Sequence, residues 1–170
     1  VIINTTRIDD IHVLAPQKQI IAFPGASLFS LEKVLAPYGR VPHSVIGSSC
    51  IGASIVGGIC NNSGGALVER GPAYTEFAIY AQVNEHGTLD LINELDIDLG
   101  NTPEEILKNL QNKKYSLDAI QATKKMASDR EYANWVRQTT DETPARYNAD
   151  PRRLHKASGC AGKLAVFAVR

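Results

Sequence analysis

Apolar positions along the 170-residue chain fall into short runs separated by turn residues. Val1–Asn4 reads as the tail of a strand, and Ile8–Leu14 continues it with mixed polarity up to Pro16. Gln19–Phe23 is a second strand candidate, closed by the turn pair Pro24-Gly25. The spacing then becomes helical. Leu28, Leu31, Val34 and Leu35 share one face, Ser27 can cap the first turn, and Pro37-Tyr38-Gly39 stops the run. Ile51–Cys60 predicts a short, close-packed helix, ended by Asn61–Gly65 with residues suited to positive φ. Thr75–Asn84 and Thr88–Ile92 predict two strands around Glu85-His86-Gly87, a hairpin.

Thr102-Pro103-Glu104-Glu105 is the clearest helix start. Thr102 caps, Pro103 takes the first helical position and Glu105 completes a capping box, with Ile106, Leu107 and Leu110 as the apolar face. The pattern weakens from Gln111 to Arg137, a stretch with room for one or two helices anchored by Met126, Tyr132, Trp135 and Val136. Gln138–Arg153 is polar, holds Pro144 and Pro151, and reads as a long loop. Ser158–Gly162 is a small-residue turn, and Leu164–Val169 a buried strand. Strands and helices interleave, but the short hairpin favours antiparallel pairing. The predicted class is therefore α+β, an antiparallel sheet flanked by helices. A chain that opens and closes on core strands reads as a piece of a larger protein.

Charge narrows the function classes. Lys plus Arg is 18 and Asp plus Glu is 18, so nothing points to an electrostatic nucleic-acid binder. No apolar run reaches the roughly 18 residues that span a bilayer. Cys50, Cys60 and Cys160 are odd in number and show no CxxC spacing. They signal buried reduced thiols rather than a zinc site or a disulfide framework. His12, His86 and His155 are scattered, and no metal site is expected from them. Asp96 and Asp98 would share a strand face and read as a solvated edge. Arg146, Arg152 and Arg153 flank the polar loop and read as solvated, with a phosphate or domain contact second.

The most unusual segment is Ser44–Gly65, SVIGSSCIGASIVGGICNNSGG. It carries six of the 13 glycines and no charge, so a flat ligand or a phosphate could lie directly on its backbone. It lacks the Gly-Lys-Ser/Thr of a P-loop, the GxGxxG of a dinucleotide fold and the GxSxG of a nucleophile elbow. Two readings stay open: a cofactor cradle, and a glycine-rich turn followed by a tightly packed helix. A third makes Cys50 a nucleophile at a helix start with His43 as its base, although no orienting third group is visible. The second turn, Ser158–Gly162, could form the other side of one groove with the first.

PHSVIGSSCIGASIVGGICNNSGG, followed by RGPAYTE, closely resembles the FAD-binding domain of the bacterial quinone-dependent D-lactate dehydrogenases. PGASLFSLEKVLAPYGRVPHS, TPARYNADP and SGCAGKLAVFAVR resemble the same family in the same order. The resemblance covers the chain except the stretch from Gln111 to Thr140. That family is grouped with the vanillyl-alcohol-oxidase-like (PCMH-type) flavoenzymes. The resemblance implies two α+β subdomains with FAD between them, this chain being the second. The first subdomain, with the main pyrophosphate loop, and the substrate cap domain would lie outside it. By position in the matched motifs, Gly47, Ser54, Gly64 and Val166 are the implied FAD contacts. No catalytic or metal-binding residue carries over. The implied chemistry of the whole protein is oxidation of D-lactate to pyruvate by hydride transfer to FAD, with electrons passed to a membrane quinone. The implied location is the cytoplasmic face of the bacterial inner membrane, reached through regions outside this chain. The 170 residues alone are expected to be inactive. Alternatives are another FAD-dependent 2-hydroxy-acid dehydrogenase, or a non-enzymatic binding module on the same fold.

Overall fold

A computed structural model describes residues 2–16, 18–43, 52–64, 70–118, 120, 123–140, 155–160 and 162–170. The elements are β1 (Ile11–Leu14), β2 (Gln19–Ala22), α1 (Leu28–Leu35), α2 (Ile55–Cys60), β3 (Ala78–Val83), β4 (Leu89–Asn93), α3 (Pro103–Gln111), α4 (Tyr132–Arg137) and β5 (Ala165–Val169). A 3₁₀ turn, Ala36–Tyr38, follows α1, and Gly39 ends it in the left-handed region at φ 62°. The strands form one five-stranded sheet in the order β1-β2-β5-β3-β4, with every pairing antiparallel. The α+β expectation holds.

Alternation along the strands gives the sheet two apolar faces. Ile21, Ile79 and Ala168 face a core closed by Leu95, Ile97, Leu99 and α3. Ala22, Ala78, Tyr80 and Val169 face a second core, closed by α1 and α2. The helices of the two faces therefore never compete for one surface, and the sheet is covered on both sides.

The register of β5 holds one irregularity that matters later. Ile79 pairs with Ala168 and Tyr80 with Val166, so Phe167 is the extra residue of a bulge. Phe167 and Ala168 consequently pack toward the same core, and Val166 turns toward α1 and α2.

Helix starts follow their caps. The Ser27 hydroxyl accepts from the Ser30 N–H at 3.0 Å. Thr102 accepts from the Glu105 N–H at 3.3 Å while the Glu105 carboxylate accepts from the Thr102 N–H at 3.2 Å, a complete capping box. At the β3–β4 hairpin the Asn84 side chain accepts from the backbone of His86 and of Thr88, both at 3.0 Å.

Several local expectations give way. Residues 2–10 form no strand: Asn4 accepts from the Thr6 N–H at 3.0 Å, a turn forms, and Ile2 is 97% exposed. This segment folds over Gly25, where an added Cβ would lie 2.5 Å from the Thr5 carbonyl oxygen. Asp96 and Asp98 lie beyond β4 rather than on a strand. Asp96 sits at φ 55° with its carboxylate 2.6 Å from the Lys125 ammonium, and Asp98 is exposed. Tyr132 is a core anchor, but Val136 of the same helix is exposed.

Candidate functional site

Two helix caps stand side by side. Ser27 and Ser54 form an antiparallel bridge, with Leu28 N–H on the Ala53 carbonyl and Ile55 N–H on the Ala26 carbonyl, each at 2.9 Å. Ser54 is in an extended conformation, and its hydroxyl oxygen accepts from the Gly57 N–H at 3.0 Å. It therefore ends the extended segment and starts α2. The predicted helix began at Ile51; the cap places its start four residues later, at Ile55. Gly57 is needed for this cap, because a Cβ there would lie 2.7 Å from the Ser54 hydroxyl.

The helix end meets the second small-residue turn directly. Ser158 is buried and its hydroxyl donates to the Thr75 carbonyl at 2.9 Å while accepting from the Thr75 N–H at 3.0 Å. The Gly159 N–H donates to the Ile59 carbonyl at 3.0 Å. The thiols of Cys60 and Cys160 are hydrogen-bonded, and burial first, then Cys160, pushes the Cys60 thiol up to about 12. Such a thiol is protonated and inert at neutral pH. Among the described residues the two stretches meet in a packed contact at the end of α2.

A cleft of about 1120 Å³ opens on the other side of α2. Ser54, Ile55, Gly58 and Ile59 form one wall, with Leu28 and Leu31 of α1 adjoining. Among the described residues a Cβ on Gly58 would touch only Ala73, at 3.9 Å, so this wall is low and apolar. The rest of the lining comes from segments within residues 13–20, 35–43, 73–77 and 123–130, from Ile120 and from the end of β5. Lys18, Arg40, Lys124, Lys125, Arg130 and Arg170 line the cleft, and no Asp or Glu does so among the described residues. In a chain of zero net charge, that is a local excess of positive charge. His43 also lines the cleft, and burial holds its imidazole below the ordinary value, against the opposing effect of a hydrogen bond with the Arg70 backbone.

The predicted contacts divide. Ser54 lines the cleft. Gly64 follows Ser63, whose carbonyl accepts from the Ala73 N–H at 2.8 Å, and is half-buried in the turn after α2. Val166 is half-buried against the core beneath α2 and does not line the cleft. Gly47 and Cys50 lie outside the described residues, as does the Arg146–Arg153 loop. Sequence reasoning missed the cationic lining. Its one local trace is the Lys124-Lys125 pair, since Arg40 and Arg170 join it only through the fold.

No protein-family model matches the chain. It is 62% identical to the quinone-dependent D-lactate dehydrogenase of Haemophilus influenzae, 59% to that of Escherichia coli and 47% to that of Corynebacterium glutamicum. Each alignment covers 100% of this chain and 30% of the relative. Over all its 170 residues the chain is thus similar, at 47–62% identity, to proteins named quinone-dependent D-lactate dehydrogenase, and it spans 30% of their length.

Proposed function

We propose that this chain is the second subdomain of a PCMH-type FAD-binding domain. On this reading the whole protein oxidises D-lactate to pyruvate and passes the electrons through FAD to a membrane quinone. The observation that carries the reading is the identity of 47–62% over the entire chain to proteins named for that reaction. The chain spans 30% of their length, and on this reading the D-lactate site and the groups that contact the membrane lie in the remainder. The working location is the cytoplasmic face of the bacterial inner membrane.

The cleft wall fits such a cofactor. Ser54 uses its hydroxyl oxygen as an acceptor for the Gly57 N–H and keeps its own O–H to donate. Gly58 leaves the backbone of α2 open to close approach, and Leu28, Leu31, Ile55 and Ile59 offer an apolar surface to a ring. Gly64, in the turn after α2, and Gly47, outside the described residues, remain contacts implied by the family motif. Val166, turned toward α2 by the β5 bulge, supports that wall from the sheet. The bound flavin supplies two-electron acceptance from the substrate and delivery to the quinone; the residues here hold, orient and shield it.

The test uses the full-length protein. It is expected to purify with flavin absorbance and to reduce a quinone analogue with D-lactate, and Gly64→Leu is expected to lose the flavin. Full-length protein that stays colourless with added FAD overturns the flavin reading and favours a non-enzymatic module. A flavin-loaded protein that oxidises other 2-hydroxy acids but not D-lactate overturns the substrate.

A further inference from the structure

The core between the sheet and α3 is closed at one end and open at the other. Along β3, Ile79, Ala81 and Val83 point to that one face, and their exposure rises from 0% to 7% to 68%. On β4, Leu91 lies opposite Ala81 and packs against the same core, while Leu89 lies opposite Val83 and is 71% exposed. On the other side of β3, Ala165 of β5 pairs with Ala81 and is exposed as well. Next to the β3–β4 hairpin, this face is thus an apolar strip across three neighbouring strands, and none of its residues is charged.

The opposite face of the same hairpin is polar. Gln82 pairs there with Asp90, whose carboxylate accepts from the Asn84 side-chain amide at 2.9 Å. The Asn84 Oδ1 atom accepts from the His86 and Thr88 N–H groups, so the turn is held in place. Val83 and Leu89 are therefore carried on a fixed hairpin with one face suited to water and one not. Single exposed apolar side chains are ordinary on a protein surface, but this pair is continuous with the core.

Two features bear on what covers the strip. The chain spans 30% of the length of relatives to which it is 47–62% identical throughout. In a protein of their length, further chain is tethered to this face at high effective concentration. The strip also offers no cation to an anionic lipid surface, and Glu85 at the turn and Asp90 behind it are acidic.

We propose that the Val83–Leu89 strip docks an uncharged, apolar segment of the same polypeptide, from the part of the full-length protein outside these 170 residues. That segment continues the α3-side core past the hairpin. The inference rests on the chain being part of a protein of its relatives' length, and not on the flavin reading.

The experiment places cysteine probes in the full-length protein: Val83→Cys, Leu89→Cys and, as a reference, Glu85→Cys, whose side chain is 87% exposed. Labelling by N-ethylmaleimide at each position is followed by peptide mass spectrometry, in native buffer and in urea. In the native protein the two strip positions are expected to label about tenfold more slowly than the reference, or slower still; in urea all three should label alike. The protection should survive strong dilution and be the same with and without anionic phospholipid vesicles. Labelling of both strip positions at the reference rate in the native protein overturns the inference. Protection lost on dilution assigns the strip to a second copy, and protection seen only with vesicles assigns it to a membrane; either result also overturns it. The probes sit on different strands, so one decides the question if the other disturbs the hairpin. Flavin absorbance is recorded alongside: a colourless protein with a protected strip refutes only the cofactor reading, and a yellow protein with a fully labelled strip refutes only this one.

Discussion

Gly159 donates its backbone N–H to the carbonyl of Ile59 at 3.0 Å, joining two small-residue stretches that lie far apart in sequence. The last carbonyls of a helix have no partner within it, so this bond closes the end of α2 from outside. Gly159 sits at φ 73°, where a side chain is strained. Gly159→Ala is expected to destabilise the fold by about 1–3 kcal/mol, measured by denaturant unfolding. An unchanged midpoint would show that the turn re-forms without the left-handed residue.

Beside that bond, the Cys60 thiol is pushed up to about 12 by burial and by Cys160. The folded state therefore holds its proton more tightly than the unfolded chain does. Its contribution to stability is complete below the ordinary thiol range and declines as pH rises above it. Native protein should react with iodoacetamide at Cys60 far more slowly than unfolded protein at neutral pH, as mass spectrometry of quenched samples would show. Equal rates in the two states would contradict the packed contact.

His12 predicts the opposite slope. It is 3% exposed, its Nδ1 lies 2.8 Å from the Tyr115 hydroxyl, and burial, then Lys113, lowers its pKa against the opposing effect of Asp10. The unfolded chain takes up a proton near the ordinary value of 6.5 while the folded state resists it. Stability is present above that pH and falls as acid is added. In His12→Phe the unfolding midpoint should lose part of its dependence on pH between about 7 and 5, whatever its absolute value.

The capping box of α3 offers a test at the surface. Thr102→Ala should cost about 0.5–2 kcal/mol in a denaturation experiment. The N–H groups of Asn101 and then Thr102 hold the Glu105 carboxyl below its usual range. Its stabilising effect is present above the ordinary carboxylate pKa and disappears as pH falls through the lowered one. Glu105→Gln should therefore lose stability at neutral pH and match the wild type in strong acid.

What could be read from the residues was local. Thr102, Pro103 and Glu105 specify the start of α3 within a few positions, and the hairpin at Glu85-His86-Gly87 needs only its neighbours. Ser54 was legible as a motif position but not as a cap, because the apolar run before it looked helical as well. The β5 bulge was invisible, since an extra residue shows only against the register of β3. That one residue decides which way Val166 points. The cationic cleft was hidden for a similar reason: a zero net charge says nothing about which basic side chains gather when distant segments meet.

The strand order β1-β2-β5-β3-β4 puts β5, made after the other four, between two hairpins made earlier. Until residues 165–169 emerge, β2 and β3 each present a bare row of backbone donors and acceptors. A nascent or prematurely terminated chain would therefore expose two open seams to other polypeptides, and these are the places a holding chaperone would have to cover.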